Sequence, residues 1–119
     1  MSKWVAALQE GEYEQCTEYE RFVPEGGRVQ HDPLGVLGEL CQDETEAEIF
    51  SAFHYQPPDG TVFYVTNWEA LNDWAGWKPG VRYGKGPDGE LLTAAMDLND
   101  AGKSFDEIAR FLEMAYASF

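Results

Sequence analysis

Apolar residues recur along this chain at two different spacings. Near the start, Trp4, Val5 and Leu8 share one side of a short helical segment that Gly11 ends. Tyr19-Glu20-Arg21-Phe22-Val23 then alternates with the period of a strand. Pro24-Glu25-Gly26-Gly27 is a turn, and Arg28-Val29-Gln30 continues as the second arm of a hairpin. Asp32-Pro33 is a helix start, an N-cap carboxylate followed by proline at the first helical position. Leu34, Leu37, Leu40 and Cys41 follow at helical spacing. Gly35 and Gly38 interrupt that helix, each at about 1 kcal/mol relative to alanine, which predicts the close approach of another backbone. Thr45 to Glu48 is too charged to be core.

Ile49 to Tyr55 fits a strand, because Pro57-Pro58-Asp59-Gly60 is a turn and Thr61 to Thr66 is β-branched and aromatic. Asn67 caps a helix whose apolar face is Trp68, Leu71, Trp74 and Ala75, stopped by Gly76 and Pro79-Gly80. Glu90 to Asp97 forms a helix with Leu91, Ala95 and Leu98 on one stripe, broken at Asn99-Asp100-Ala101-Gly102. Ser104-Phe105-Asp106-Glu107 has the form of a capping box. Phe105, Ile108, Ala109, Leu112, Ala115, Tyr116 and Phe119 continue from it at helical spacing. The pattern predicts one α+β domain over residues 1–119, with about four helices, a small antiparallel sheet and a C-terminal helical hairpin.

Charge changes this picture most. Twenty-two acidic residues against eight basic ones leave a net charge of −14. Residues 1–60 carry thirteen acids and three bases, and no Lys or Arg lies between Arg28 and Lys78 while nine carboxylates do. Two clusters stand out: Glu10, Glu12, Glu14, Glu18 and Glu20, then Glu39, Asp43, Glu44, Glu46 and Glu48. A field of this sign repels nucleic acid and anionic membranes and attracts basic surfaces. Solubility is the plainer use of the same charge. No apolar run reaches the roughly 20 residues of a membrane span, and the start Met1-Ser2-Lys3-Trp4 lacks a hydrophobic signal region, so a cytoplasmic protein is expected.

Candidate chemistry is sparse. Gly84-Lys85-Gly86-Pro87-Asp88-Gly89 matches G-x-G-x-x-G, but two helices follow it instead of the strands of a parallel βαβ unit, and it reads as a loop. Leu98 to Phe111 resembles the first half of a helix-turn-helix without the basic recognition helix that would read DNA. Cys16, Cys41, His31 and His54 make four zinc-ligand types at spacings too wide to close a site locally, so ordinary thiols and imidazoles, with no metal, are expected. Neither thiol is matched to an imidazole by any local motif, and no hydrolase, zinc-protease or P-loop motif is present, so neither an enzyme nor a cofactor is expected. Trp77 beside a turn, with Arg82 and Lys85, offers an alternative site where a nucleotide would stack and its phosphate be held. The plainer reading puts Trp68 and Trp74 in the core, with Trp77 the tryptophan expected to be exposed.

Three stretches together resemble small accessory proteins of tailed bacteriophages and prophages. They are Trp4-Val-Ala-Ala-Leu-x-x-Gly-Glu-Tyr-Glu-Gln15, Leu34-Gly-Val-Leu-Gly-Glu-Leu-Cys41 and Leu98-Asn-Asp-Ala-Gly-Lys-Ser-Phe-Asp-Glu-Ile-Ala-Arg-Phe-Leu-Glu113. The family pattern is W-x-x-A-L-x-x-G-x-Y-x-Q, then C-C-L-G-V-L-C-[DE]-L, then L-N-D-x-G-x-S-F-x-E-I-A. Here His31-Asp32-Pro33 stands in place of the cysteine pair and Gly38 in place of a third cysteine, so a thiol role does not carry over. The resemblance implies a phage accessory gene acting in a host bacterial cytoplasm, with no activity attached. Combined with the charge, it leads to an inhibitor, monomeric or homodimeric, that blocks a basic host protein such as a defence nuclease, CRISPR effector or transcription factor. The ten cluster carboxylates would form its partner-binding surface. The alternatives are a module that sequesters a nucleotide immune messenger at Trp77, Arg82 and Lys85, and an accessory or assembly protein whose acidity serves solubility.

Overall fold

The computed structural model describes residues 2–17, 19–53, 60–77 and 86–117. The chain runs α1 (Ser2–Glu10), β1 (Glu14–Gln15), β2 (Arg21–Pro24), β3 (Gln30–His31), α2 (Pro33–Thr45), β4 (Phe50–Phe53), β5 (Gly60–Val65), α3 (Trp68–Ala75), α4 (Gly86–Asp100) and α5 (Phe105–Ala117). This is an α+β fold. The sheet has the order β1-β3-β2-β5-β4, and it is mixed, because β1 pairs with β3 in parallel while every other pairing is antiparallel. The five helices among the described residues are one more than the four or so expected, and the sheet departs from the expected antiparallel one only at the β1–β3 pair.

Helix α2 sits at the centre because its sequence leaves it no exposed face over its first half. Residues Pro33 to Gly38 are all buried, and the helix packs on α1, α3, α4, β3 and β5. Asp32 caps it as expected, accepting a hydrogen bond from the Gly35 N–H at 2.7 Å. The two glycines admit different neighbours. A methyl on Gly35 would overlap the backbone carbonyl oxygen of Glu20, whereas one on Gly38 would meet the ring tip of Phe50 at 2.7 Å. Only the first is the backbone approach that the spacing predicted. The helix ends on Glu46, which is left-handed at φ 60° and donates its N–H to the Gln42 carbonyl. Glycine is the usual residue there.

Around α2, one cluster of buried apolar side chains joins every helix to one face of the sheet. Trp4, Leu8, Leu34, Leu37, Leu71, Leu92, Ile108 and Leu112 form its middle. Trp4 also donates its indole N–H to the Pro33 carbonyl at 2.8 Å, which fixes α1 against the start of α2. The Asn67 cap and the Ser104–Glu107 box form as expected: Ala70 N–H donates to Asn67, and Glu107 N–H to the Ser104 hydroxyl. Helices α4 and α5 pack together as a hairpin, with α5 also laid along α1.

Two local readings are corrected. Gly86 to Gly89 form the first turn of α4, not a loop, since proline at the second residue of a helix lacks only an N–H that has no helical partner anyway. Helix α4 runs on to Asp100, past the end expected at Asp97, so Asn99 is helical. It lies fully buried at the end of α4, donates to the Cys16 carbonyl at 2.9 Å and accepts from the Gln15 amide at 2.6 Å. Buried amides are retained when every partner is present, and this one ties α4 to the strand β1.

Candidate functional site

The packing of α1 on α2 decides where the acidic side chains go. The first cluster leaves the C-terminal end of α1, so Glu10, Glu12 and Glu14 are exposed there. The second lies on the outer side and end of α2, where Asp43, Glu44, Glu46 and Glu48 are exposed. Lys3, in the first turn of α1 and about 10 Å along that helix from Glu10, reaches Glu44 on α2 at 2.6 Å and offsets one acid of the second cluster.

Tyr13 marks where they meet. Its phenol is pushed above its ordinary pKa first by burial and then by the negative field of Asp43, Glu39, Glu12 and Glu10. Two of these carboxylates come from each cluster. Tyr13 is half-buried, with its ring edge-on to His31 at 5.1 Å. Only part of the surrounding charge is neutralised. Besides the Lys3–Glu44 pair, Arg28 approaches Glu14 at 3.6 Å, and exposed pairs of this kind are worth less than about 1 kcal/mol. Among the described residues, Glu10, Glu12, Asp43, Glu46 and Glu48 have no Lys or Arg partner.

Two of the ten expected surface carboxylates turn inward, and a third, Glu18, lies outside the described residues. Glu39 is 3.7 Å from the His31 imidazole and 3.2 Å from the Arg21 guanidinium, and these hold it below the usual carboxylate range against the opposing effect of burial. Glu20 accepts a hydrogen bond from the Val65 N–H at 2.7 Å, and burial raises its pKa to about 7, only partly offset by that bond. Neither offers a free surface charge to a partner. Each stands in a run of exposed acids, and only the fold brings up the groups that engage it.

Glu20 instead belongs to a second acidic feature. It lines a cleft of about 410 Å³ together with Asp32, Asp97 and Asp100, beside Tyr64 and Thr93. Asp32 is 3 % exposed, and burial holds its pKa well above the usual range in spite of the Gly35 N–H. Glu20 and Asp100 add to the rise. Carboxyls in this state retain protons that exposed ones release. Spacing along the chain gives no hint of the cleft, because Glu20, Asp32 and the Asp97–Asp100 pair of α4 come from three separate segments. Asp32 is legible only as a helix cap.

The nucleotide alternative meets an obstacle. Trp77 is 6 % exposed and packs edge-to-face on Trp4, with ring centroids 6.4 Å apart at 68°. Trp68 and Trp74 are partly buried and pack against the core, so it is the exposure expected of Trp77 that is overturned. Gly76 turns the chain back so that Trp77 enters the core, and its ring is not open for a base to stack on. Arg82 and Lys85 lie outside the described residues, as does His54. Cys41 is buried, Cys16 partly so, and burial raises the Cys41 thiol pKa. Among the described residues no group of three or more His, Cys, Asp or Glu side chains is arranged to hold a metal ion, and no helix is long and apolar enough to cross a membrane. No family model, curated protein or solved structure matches this chain.

Proposed function

We propose that the chain is a phage accessory protein that binds a basic, nucleic-acid-handling protein of its bacterial host and blocks it. The observation that carries this reading is the shared negative field that Glu10 and Glu12 of one segment and Asp43 of another exert at Tyr13. Glu10, Glu12 and Asp43 remain exposed and without basic partners among the described residues. Carboxylates arrayed this way present to a cationic groove what a phosphate backbone presents. Encounter is then steered by long-range attraction and weakened by salt. The resemblance to phage accessory proteins supplies the setting, the host cytoplasm, and the net charge of −14 supplies the sign of the partner.

Affinity capture from a bacterial lysate tests this. The tagged protein is expected to retain a partner with a basic surface at roughly 50 mM salt and to release it at roughly 500 mM. Double-stranded DNA or RNA added at low salt is expected to displace the same partner. Retention at high salt, or indifference to nucleic acid, would assign the acidity to solubility alone.

A further inference from the structure

His31 is 4 % exposed, and neither nitrogen of its ring has a hydrogen-bond partner among the described residues. Buried polar side chains are ordinarily paired, and an unpaired one costs stability. The nearest charge is Glu39 of α2. Its Oε2 lies 3.7 Å from the imidazole Nε2, too far for a hydrogen bond, and 3.2 Å from the Arg21 Nε. One carboxylate oxygen thus faces two bases and bonds only the arginine.

Every element around β3 contributes to this setting. From β2, Arg21 stands opposite His31 in the antiparallel register, and the segment between α1 and β1 sets Tyr13 edge-on at 5.1 Å. On β1 the residue in register is Gln15, while the exposed Glu14 pairs with Arg28. The Cys16 thiol is turned to the Tyr19 carbonyl, and the Asp32 carboxyl to its cap at Gly35. The three ionisable groups nearest the ring keep one charge state from pH 5 to 8. Arginine is always cationic, Glu39 is held ionised, and burial pushes the Tyr13 phenol up. Imidazole is the side chain that ordinarily changes charge in that interval.

We propose that His31 is a proton switch beneath the acidic surface: in acid its imidazole charges, draws Glu39 across the gap and frees the Arg21 guanidinium. The movement is small, from 3.7 Å to the roughly 2.8 Å of a charge-assisted bond. Arg21 keeps a place without Glu39, since its guanidinium lies 4.6 Å from the centre of the Phe63 ring. The added proton puts a positive charge behind Tyr13, where the fields of Glu10, Glu12 and Asp43 overlap. The attraction of that surface for a basic partner then weakens in acid.

Nuclear magnetic resonance of the isotope-labelled full chain tests this from pH 8 to 5. The His31 ring, the Glu39 carboxyl carbon and the Arg21 Nε–H are expected to shift with one common midpoint. The Arg21 proton should move upfield as its bond to Glu39 is lost. His31→Phe, which keeps a ring in the core, is expected to abolish the steps at Arg21 and Glu39. Glu20→Gln, which removes a titration of the neighbouring cleft, is expected to leave them in place. Glu39→Gln retains the imidazole without its counter-charge, and the His31 step should then fall at lower pH. An imidazole that does not titrate in this interval, or titrates while Arg21 stays still, would overturn the switch. So would an Arg21 step lost in Glu20→Gln, or a His31 step unmoved in Glu39→Gln. All four results leave the salt-sensitive capture of a partner standing, because that is read separately.

Discussion

Thermal stability is expected to fall as the pH rises from 5 to 8, and Glu20→Gln is expected to remove much of that fall. Glu20 ionises near pH 4.5 as an ordinary glutamate but holds its proton to about 7 in the folded chain. A folded-state pKa raised above the unfolded one gives a contribution fully present below pH 4.5 and lost as the pH climbs through 7. The gap corresponds to about 3 kcal/mol, since each tenfold change in proton affinity is worth about 1.4 kcal/mol. Asp32 acts with the same sign, its pKa being raised by the same cleft. Glu39 acts oppositely: its lowered pKa gives stability present above the ordinary glutamate range and lost as acid protonates it. The optimum therefore lies on the mildly acidic side of neutrality.

Glutamine keeps the acceptor for the Val65 N–H and cannot ionise. At pH 8 the variant should melt about 10 °C above the wild type, and at pH 4.5 the two should nearly coincide. Calorimetry across that range decides it. Equal melting temperatures at pH 8 would mean that the Glu20 carboxylate is well solvated in the fold.

Gly35→Ala is expected to cost about 3 kcal/mol or more by urea denaturation, on the order of the worst overpacking substitutions. Helix propensity alone predicts a gain of about 1 kcal/mol from the same change. The steric term wins because the methyl would strike the Glu20 carbonyl oxygen, which accepts the Asp32 N–H at 3.2 Å. Yielding there would pull β2 from the start of α2 and disturb the Asp32 cap. Gly38→Ala provides the contrast. Its obstacle is the far end of the Phe50 ring, which can swing, so its net effect should stay within about 1 kcal/mol. Equal stability of the Gly35→Ala protein and the wild type would show that α2 can slide off Glu20 freely.

Those two glycines also show where a sequence is legible and where it stops. Local signals were readable because their cause is local. Asp32-Pro33, Asn67 and Ser104 with Glu107 each satisfy backbone groups within one turn, and each caps its helix. The parallel partnership of β1 with β3 was hidden, because two-residue strands carry no periodicity and their pairing depends on the turn between them. Trp77 looked exposed beside Gly76, yet its environment is set by Trp4 at the other end of the chain. The acidic clusters were visible as composition, but composition could not separate members. Glu12 and Glu20 read alike, and only the approach of Val65 to one of them makes it a buried acid. The carboxylate cleft was invisible for the same reason.

Charge reversal at the meeting point of the two acidic segments is the most direct measurement. Glu10→Lys, Glu12→Lys and Asp43→Lys together alter only exposed side chains, so the circular dichroism of the folded protein should not change. Affinity for the captured host protein should fall at least about 100-fold, as placing like charges across an interface costs several kcal/mol. A dissociation constant left unchanged by the three lysines would contradict the idea that these carboxylates bind anything.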